Sequence, residues 1–315
     1  MTIAEATLVR PAYRLYKATV KRAERLSPHF ARITFGSDDF EHFGTAGQDQ
    51  RIKIFFPLAD GTLTDFGQHD DEQLLGDWYD RWRELPLERR NPFRTYTVRR
   101  VAPEAREVTV DFVVHHDAGP AGTWASQARG GEQVVICGPD ERSPHSRAGI
   151  DYRPANAHRL LLIGDETAVP AIGGILERMP QDRIADVFLE VPSADDVAVF
   201  ELPHGGVQVR WIVRESEETH GEALIQAVTA WAEGNPELLA RAASPRPQEI
   251  ADVDIDRELL WDSPEAMDGE FYAWIAGEAA TIKALRRMLV SGHGVDRRRV
   301  AFMGYWRRGV AERIG

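Results

Sequence analysis

At about residue 151 the hydrophobic rhythm of this chain changes, and that change constrains the fold more than any single motif. Before it, short β-like runs at residues 31–35, 51–56, 95–101, 108–115 and 133–137 are separated by Gly, Pro and Asp turns. Short strands without long helices between them predict a barrel or sandwich. After it, apolar runs at 160–163, 185–191, 207–213, 271–276 and 300–303 alternate with helix-like stretches at 168–179 and 279–290. That alternation predicts an α/β domain built on a parallel sheet.

The polar stretch HSRAGIDYRPANAH, residues 145–158, predicts the boundary, with domains at 1–153 and 154–315. Two segments interrupt the pattern. In 58–92, Leu74, Trp78, Trp82 and Leu85 recur near helical spacing and predict an inserted helix. The segment 215–269 is acidic and contains prolines, which fits a long surface excursion, although Leu224, Ile225, Val228 and Trp231 can form one amphipathic helix.

Two domains also suit the length, since 315 residues with 43% hydrophobic content can bury two ordinary cores. The formal net charge of −12, from 50 acidic and 38 basic residues, argues against nucleic acid as a partner. An anionic ligand must therefore meet a local basic pocket. The lone cysteine, Cys137, cannot by itself make an internal disulfide, a four-thiolate zinc site or an iron–sulfur cluster. The N-terminal MTIAEATLVRPAYR lacks an apolar core of signal-peptide length, and no apolar run is long enough to span a bilayer. The expectation is a cytoplasmic protein without membrane insertion.

Four stretches carry candidate chemistry. In RTYT, residues 94–97, strand alternation puts Arg94 and Tyr96 on one face and Thr97 on the other. A guanidinium, an aromatic ring and hydroxyls so close together suit a flavin nucleotide, and they also fit an ordinary strand. In HHDAGPAGTWA, residues 115–125, a Gly/Pro turn opens a helix near Thr123 whose free N–H groups can receive an anion; an ordinary loop is the alternative. In GDETAVPAI, residues 164–172, a strand runs through a polar turn into a helix with Pro170 in its first turn. A similar transition recurs where Gly277 ends a strand and Glu278 opens a helix.

Taken in order, RTYT, HHDAGPAGTWA, CGP, GDETAVPAI, AGE and GYWRRG resemble the siderophore-interacting protein family, the flavin-dependent ferric-siderophore reductases of the ferredoxin-reductase-like superfamily. The resemblance covers Tyr13 to Gly309. It implies an N-terminal six-stranded antiparallel Greek-key barrel that holds FAD and a C-terminal parallel-sheet α/β domain that binds a nicotinamide nucleotide.

Carried over by position, the resemblance implies FAD contacts from Arg94, Thr95, Tyr96 and Thr97, with His115 beside the flavin. Gly119, Pro120, Ala121, Gly122, Thr123 and Trp124 would surround its phosphates, Gly122 standing where most relatives carry Ser. Asp165, Glu166, Thr167 and Ala168 match the segment beside nicotinamide entry, and Gly277, Glu278, Tyr305 and Trp306 match the remaining cofactor segments. Lys53, Arg142 and Arg307 are the candidates for a basic siderophore pocket, Arg142 lying where relatives read GPRG and this chain has GPDERS. Thr97, His115, Lys53 and Arg307 are the implied catalytic residues, and no residue is assigned to a resident metal.

The implied reaction passes hydride from a nicotinamide nucleotide to FAD, then single electrons to the Fe(III) of a siderophore. Fe(II) is held less tightly by hard oxygen donors, so release follows reduction. Glu190, Asp195 and Asp196 in EVPSADD, with no arginine nearby in sequence, suit a ribose hydroxyl and favour NADH over NADPH. A ferredoxin is the alternative electron source. A general flavin or ferredoxin-linked reductase and a non-catalytic siderophore-binding protein are the alternative functions.

Overall fold

A computed structural model describes residues 9–70, 72–114, 119–197, 203–216, 219–250, 258 and 260–309. The described chain divides into two compact units, with the main division between Ile150 and Asp151.

The first unit is a closed six-stranded antiparallel barrel. Its strands are β1 (Tyr13–Ser27), β2 (Phe30–Gly36), β3 (Arg51–Phe55), β4 (Phe93–Ala102), β5 (Glu107–Val113) and β6 (Gln133–Pro139), ordered β1-β2-β5-β4-β3-β6. Closure leaves no edge, so every strand pairs on both sides. One helix, α2 (Pro120–Gln127), lies between β5 and β6 in sequence and packs against β2 and β5.

Alternation explains the barrel interior. Ile52 and Ile54 of β3 join Ile33, Phe35, Val98, Val110, Phe112 and Ile136 in one buried cluster. The run RIKIFF is not purely alternating because part of the outer face is buried too. Phe55 packs outside with Leu15, Cys137, Phe66 and Trp82, beneath the segment that joins β3 to β4.

That segment holds the helix α1, Trp78–Glu84, shorter than the spacing of Leu74 to Leu85 predicts. Leu85 precedes Pro86, which disfavours helical backbone, and Leu85 is extended at φ −61° and ψ 144°. Leu74 lies before the helix begins. Trp82 is fully buried, and its Nε1 donates to the Asn91 carbonyl at 2.9 Å, so the polar tip of the ring is satisfied.

The second unit contains a six-stranded sheet of β7 (Arg159–Gly164), β8 (Ile184–Val191), β9 (Val207–Val213), β10 (Trp261–Asp262), β11 (Phe271–Glu278) and β12 (Val300–Trp306). The order is β10-β12-β11-β7-β8-β9, parallel except for the short edge strand β10. Helices are α3 (Val169–Leu176), α4 (Glu222–Gly234), α5 (Pro236–Ala242) and α6 (Ala279–Arg286), the last running into a π-helical turn at Arg287–Gly292. In β7 the stretch from Leu160 to Gly164 is buried throughout, as expected of a strand covered on both faces.

The acidic 215–269 segment is partly helical. Leu224 and Val228 of α4 are buried with Leu161, Phe271 and Ile282, as their spacing predicts. Helix α5 begins at Pro236, whose fixed φ and missing N–H suit a first helical turn. Among the described residues, no helix is long and apolar enough to cross a membrane.

Candidate functional site

The strand register of the barrel sets out the RTYT residues. Thr97 pairs with Arg51, Tyr96 with Ile52, Thr95 with Lys53 and Arg94 with Ile54. Arg94 and Tyr96 therefore share a face, and Lys53 shares the opposite one with Thr95 and Thr97. Lys53 Nζ donates to Thr95 Oγ1 at 3.3 Å and lies 5.1 Å from the centroid of Phe93. Arg94 Nη1 donates to the neighbouring Phe93 carbonyl at 2.8 Å. Thr95 is exposed, Arg94 and Tyr96 are half-buried, and Thr97 is buried.

Tyr96 belongs to an aromatic group. Its ring lies 4.4 Å from Phe112 and 6.3 Å from Phe56, and Phe56 lies 5.0 Å from Trp124. Trp124 stacks on Phe35 at 6.3 Å and 9°. Gly119 caps the N-terminus of α2, and a Cβ there would meet nothing within 4 Å. Ala121 is buried, Pro120 is exposed, and Gly122 and Thr123 lie in the first turns. His115 lies outside the described residues.

These observations test the barrel against a flavin nucleotide, and they fit it. A half-exposed guanidinium and phenol, flanking hydroxyls and a helix start with open space match the polar and aromatic groups that FAD presents.

Arg142 is committed to a local pair. Its Nε and Nη2 donate to Asp140 Oδ1 and Oδ2 at 2.9 and 2.8 Å. Burial alone would raise the Asp140 carboxyl, but the Arg142 side chain and backbone N–H hold it below its usual value. Arg142 thus compensates a buried carboxylate. Arg307 is half-buried and belongs to the second unit, whereas Lys53 and Arg142 belong to the first.

In the second unit the sequence-predicted residues converge. The sheet order reverses direction between β7 and β11, and loops at such a switch point flank a crevice over the strand C-termini. Asp165 and Glu166 follow β7, and Glu278 ends β11. Asp165 Oδ1 accepts from Thr167 N at 2.9 Å and from Thr167 Oγ1. Its Oδ2 accepts from Glu278 N and Trp306 Nε1, each at 2.8 Å. Gly277 is required here: its φ is 151°, and a Cβ would lie 2.6 Å from Asp165 Oδ2.

Glu278 caps α6, its Oε2 accepting from Ala280 N at 2.7 Å and Thr281 N at 3.0 Å. Its Oε1 accepts from Arg308 N at 3.3 Å, which ties the tail after β12 to the helix start. Ala168 is buried, and Tyr305 stacks on Trp261 at 5.8 Å. The carboxylates of Asp165 and Glu166 face into the unit, with side chains 2% and 1% exposed.

Sequence reasoning missed two members of this cluster, Arg214 and His220. Arg214, just past β9, donates through Nη2 to Glu166 Oε1 and through Nη1 to Glu190 Oε1 at 3.2 Å. Glu190 is fully buried, and Oε1 also accepts from Gly221 N at 3.0 Å. This corrects the ribose argument: Glu190 is sequestered, an arginine lies directly on it, and Asp196 is buried. Of EVPSADD only Asp195 remains an exposed carboxylate. Burial and the adjacent Asp165 charge push the Glu166 carboxyl up to about 8, against the opposing pull of Arg214.

Comparison with known proteins adds the following. Residues 19–143 match the family model described as the siderophore-interacting FAD-binding domain, and residues 157–309 match that of the siderophore-interacting protein. An uncharacterized protein of Mycobacterium tuberculosis is 32% identical, covering 95% of this chain and 93% of its own length. The ferric vibriobactin reductase ViuB of Vibrio cholerae is 28% identical, covering 92% of this chain and 89% of its own. A siderophore utilization protein from T. fusca superposes with a TM-score of 0.67 at 26% identity, over 97% of both chains. A ferredoxin reductase of carbazole 1,9a-dioxygenase shares the fold at a TM-score of 0.57 and 15% identity, covering 94% of this chain and 71% of its own.

Proposed function

This chain belongs to the siderophore-interacting protein family, and from that premise we propose that it is an FAD-dependent ferric-siderophore reductase whose electrons come from NADH or NADPH. The fold and family support a siderophore-related flavin oxidoreductase. The observation that carries the reading is the accessibility of β4 on both its faces. Arg94, Thr95 and Tyr96 stay accessible in the unit whose sequence matches an FAD-binding domain.

Bound FAD would supply the conversion between a two-electron hydride donor and a one-electron iron acceptor. In this reading Arg94 clamps the pyrophosphate, Tyr96 presents its ring to the flavin, and the Thr95 and Thr97 hydroxyls donate to polar ring atoms. The start of α2 from Gly119 to Trp124 offers backbone N–H groups to phosphate oxygens. Lys53 and Arg307 attract an anionic ferric chelate despite the net charge of −12. Arg142 is left out of that role because Asp140 already neutralises it. Asp195 is the carboxylate that accepts a ribose hydroxyl, which favours NADH.

The test is anaerobic mixing of the FAD-loaded chain with NADH, NADPH or a reduced ferredoxin, followed by a panel of ferric siderophores. The expected result is flavin bleaching by NADH and recovery of colour with each accepted chelate. A chain unable to take up FAD, or reduced flavin that no ferric chelate reoxidises, would overturn the reading. Changing Lys53 and Arg307 together to Ala should raise the KM for chelate about tenfold while bound FAD is retained, each lost contact contributing about 0.7 kcal/mol.

A further inference from the structure

The strand-end cluster of the second unit sets buried carboxylates around an imidazole. Asp165, Glu166 and Glu190 are buried carboxylates, and Arg214 is the guanidinium bonded among them. Glu278 lies outside this cluster because its carboxylate is taken up by the start of α6 and by Arg308 N.

His220 points into the same volume. It precedes α4, held by Gly221 at φ 82°, where a Cβ would lie 2.1 Å from Thr281 Oγ1. Its side chain is 2% exposed, and among the described residues neither ring nitrogen has a hydrogen-bond partner. An imidazole buried with both nitrogens unsatisfied is costly, so its surroundings call for a ligand. Nε2 lies 3.7 Å from Asp165 Oδ2, 3.9 Å from Glu166 Oε2 and 3.9 Å from Glu190 Oε1. Among the described residues, the donor atoms of Asp165, Glu166 and His220 all fall within 4.8 Å of one another.

We propose that Asp165, Glu166 and His220 bind one divalent first-row transition-metal ion inside the α/β unit. A neutral imidazole adds a ligand without adding charge. Metal–ligand bonds of roughly 2.0–2.2 Å span the 3.7 and 3.9 Å that separate Nε2 from Asp165 Oδ2 and Glu166 Oε2 at wide angles, leaving positions for water. One nitrogen and two carboxylate oxygens select manganese, iron or zinc over calcium and magnesium. The hydrogen bonds that Asp165 accepts from Trp306 and Glu278 then orient a ligating carboxylate, as outer-shell donors do in metal sites. Arg214 keeps Glu166 and Glu190 in place and opposes the incoming charge, which makes the site exchangeable.

The test uses the full chain as purified, after chelator treatment and without added FAD, titrated with ZnCl2 and with MnCl2 by calorimetry. One ion per chain is expected, with affinity at least tenfold weaker in His220→Ala and in Glu166→Gln. Pulsed electron paramagnetic resonance of the unmodified chain with Mn2+ should show coupling to an imidazole nitrogen, a readout that needs no variant to fold. Absence of saturable binding, unchanged affinity in His220→Ala, or Mn2+ without nitrogen coupling would each overturn the proposal. Neutralisation of the cluster by proton uptake instead of metal would give the first of these results. No nicotinamide nucleotide or ferric chelate is present, so this test and that of the reductase reading fail separately.

Discussion

Strand β4 of the barrel and the strand-end cluster of the α/β unit both carry polar residues beside aromatic rings, yet they treat solvent in opposite ways. On β4, Thr95 is exposed and Arg94 and Tyr96 are half-buried. In the cluster, Asp165, Glu166, Glu190 and Arg214 are sealed and bonded to one another or to neighbouring backbone. Residues left open can receive a large exchangeable cofactor. Residues closed on themselves hold the fold together or enclose something as small as an ion.

The comparison breaks first at Arg214. Arg214→Ala leaves Glu166 and Glu190 without their cation and should destabilise the α/β unit by about 3–5 kcal/mol, read from denaturant unfolding. FAD affinity should stay unchanged in the folded fraction. A loss of stability below about 1 kcal/mol would mean the cluster is not a closed electrostatic unit.

The converse change is Arg94→Ala with Tyr96→Ala. The pair should weaken FAD binding by about 2–4 kcal/mol, read from fluorescence titration, with little change in unfolding midpoint. Should the midpoint fall instead and FAD binding survive, β4 would be a structural strand and the contrast would vanish.

A smaller effect sharpens the barrel side. The Asp140 carboxyl is depressed when folded, so the unfolded chain binds more protons at acid pH. The Asp140–Arg142 pair therefore adds stability above the unfolded carboxylate pKa, and that part is lost as pH falls through the depressed folded value. Arg142→Ala should remove about 1 kcal/mol at neutral pH and flatten the acid limb of the stability curve.

Cys137 gives the smallest signal. It is buried under the β3–β4 segment, and burial pushes its thiol up to about 12 despite nearby Lys53. A thiol reagent should leave the native chain unmodified and react once after unfolding. Rapid labelling of the native chain would show that the covering segment opens.

Much of this molecule was readable before folding was considered. The change from short alternating strands to buried apolar runs separated the barrel from the parallel sheet, because the period of burial is a local property of the chain. RTYT was legible for the same reason, its four residues being adjacent on one strand. The length of α1 was not, since Leu74 keeps helical spacing with Trp78 but packs outside the helix.

The cluster lay beyond that reach. Asp165, Glu166 and Glu278 could be marked as strand ends, but nothing in their neighbourhood names Arg214 or His220 as partners. A parallel sheet gathers the C-terminal ends of strands that are far apart in sequence, and only that gathering placed a guanidinium on Glu190 and an unsatisfied imidazole among three carboxylates. Local pattern thus determined which elements form and which polar residues stay open. Tertiary structure alone decided which buried charges meet, because electrostatic pairing depends on distance in space and not on separation along the chain.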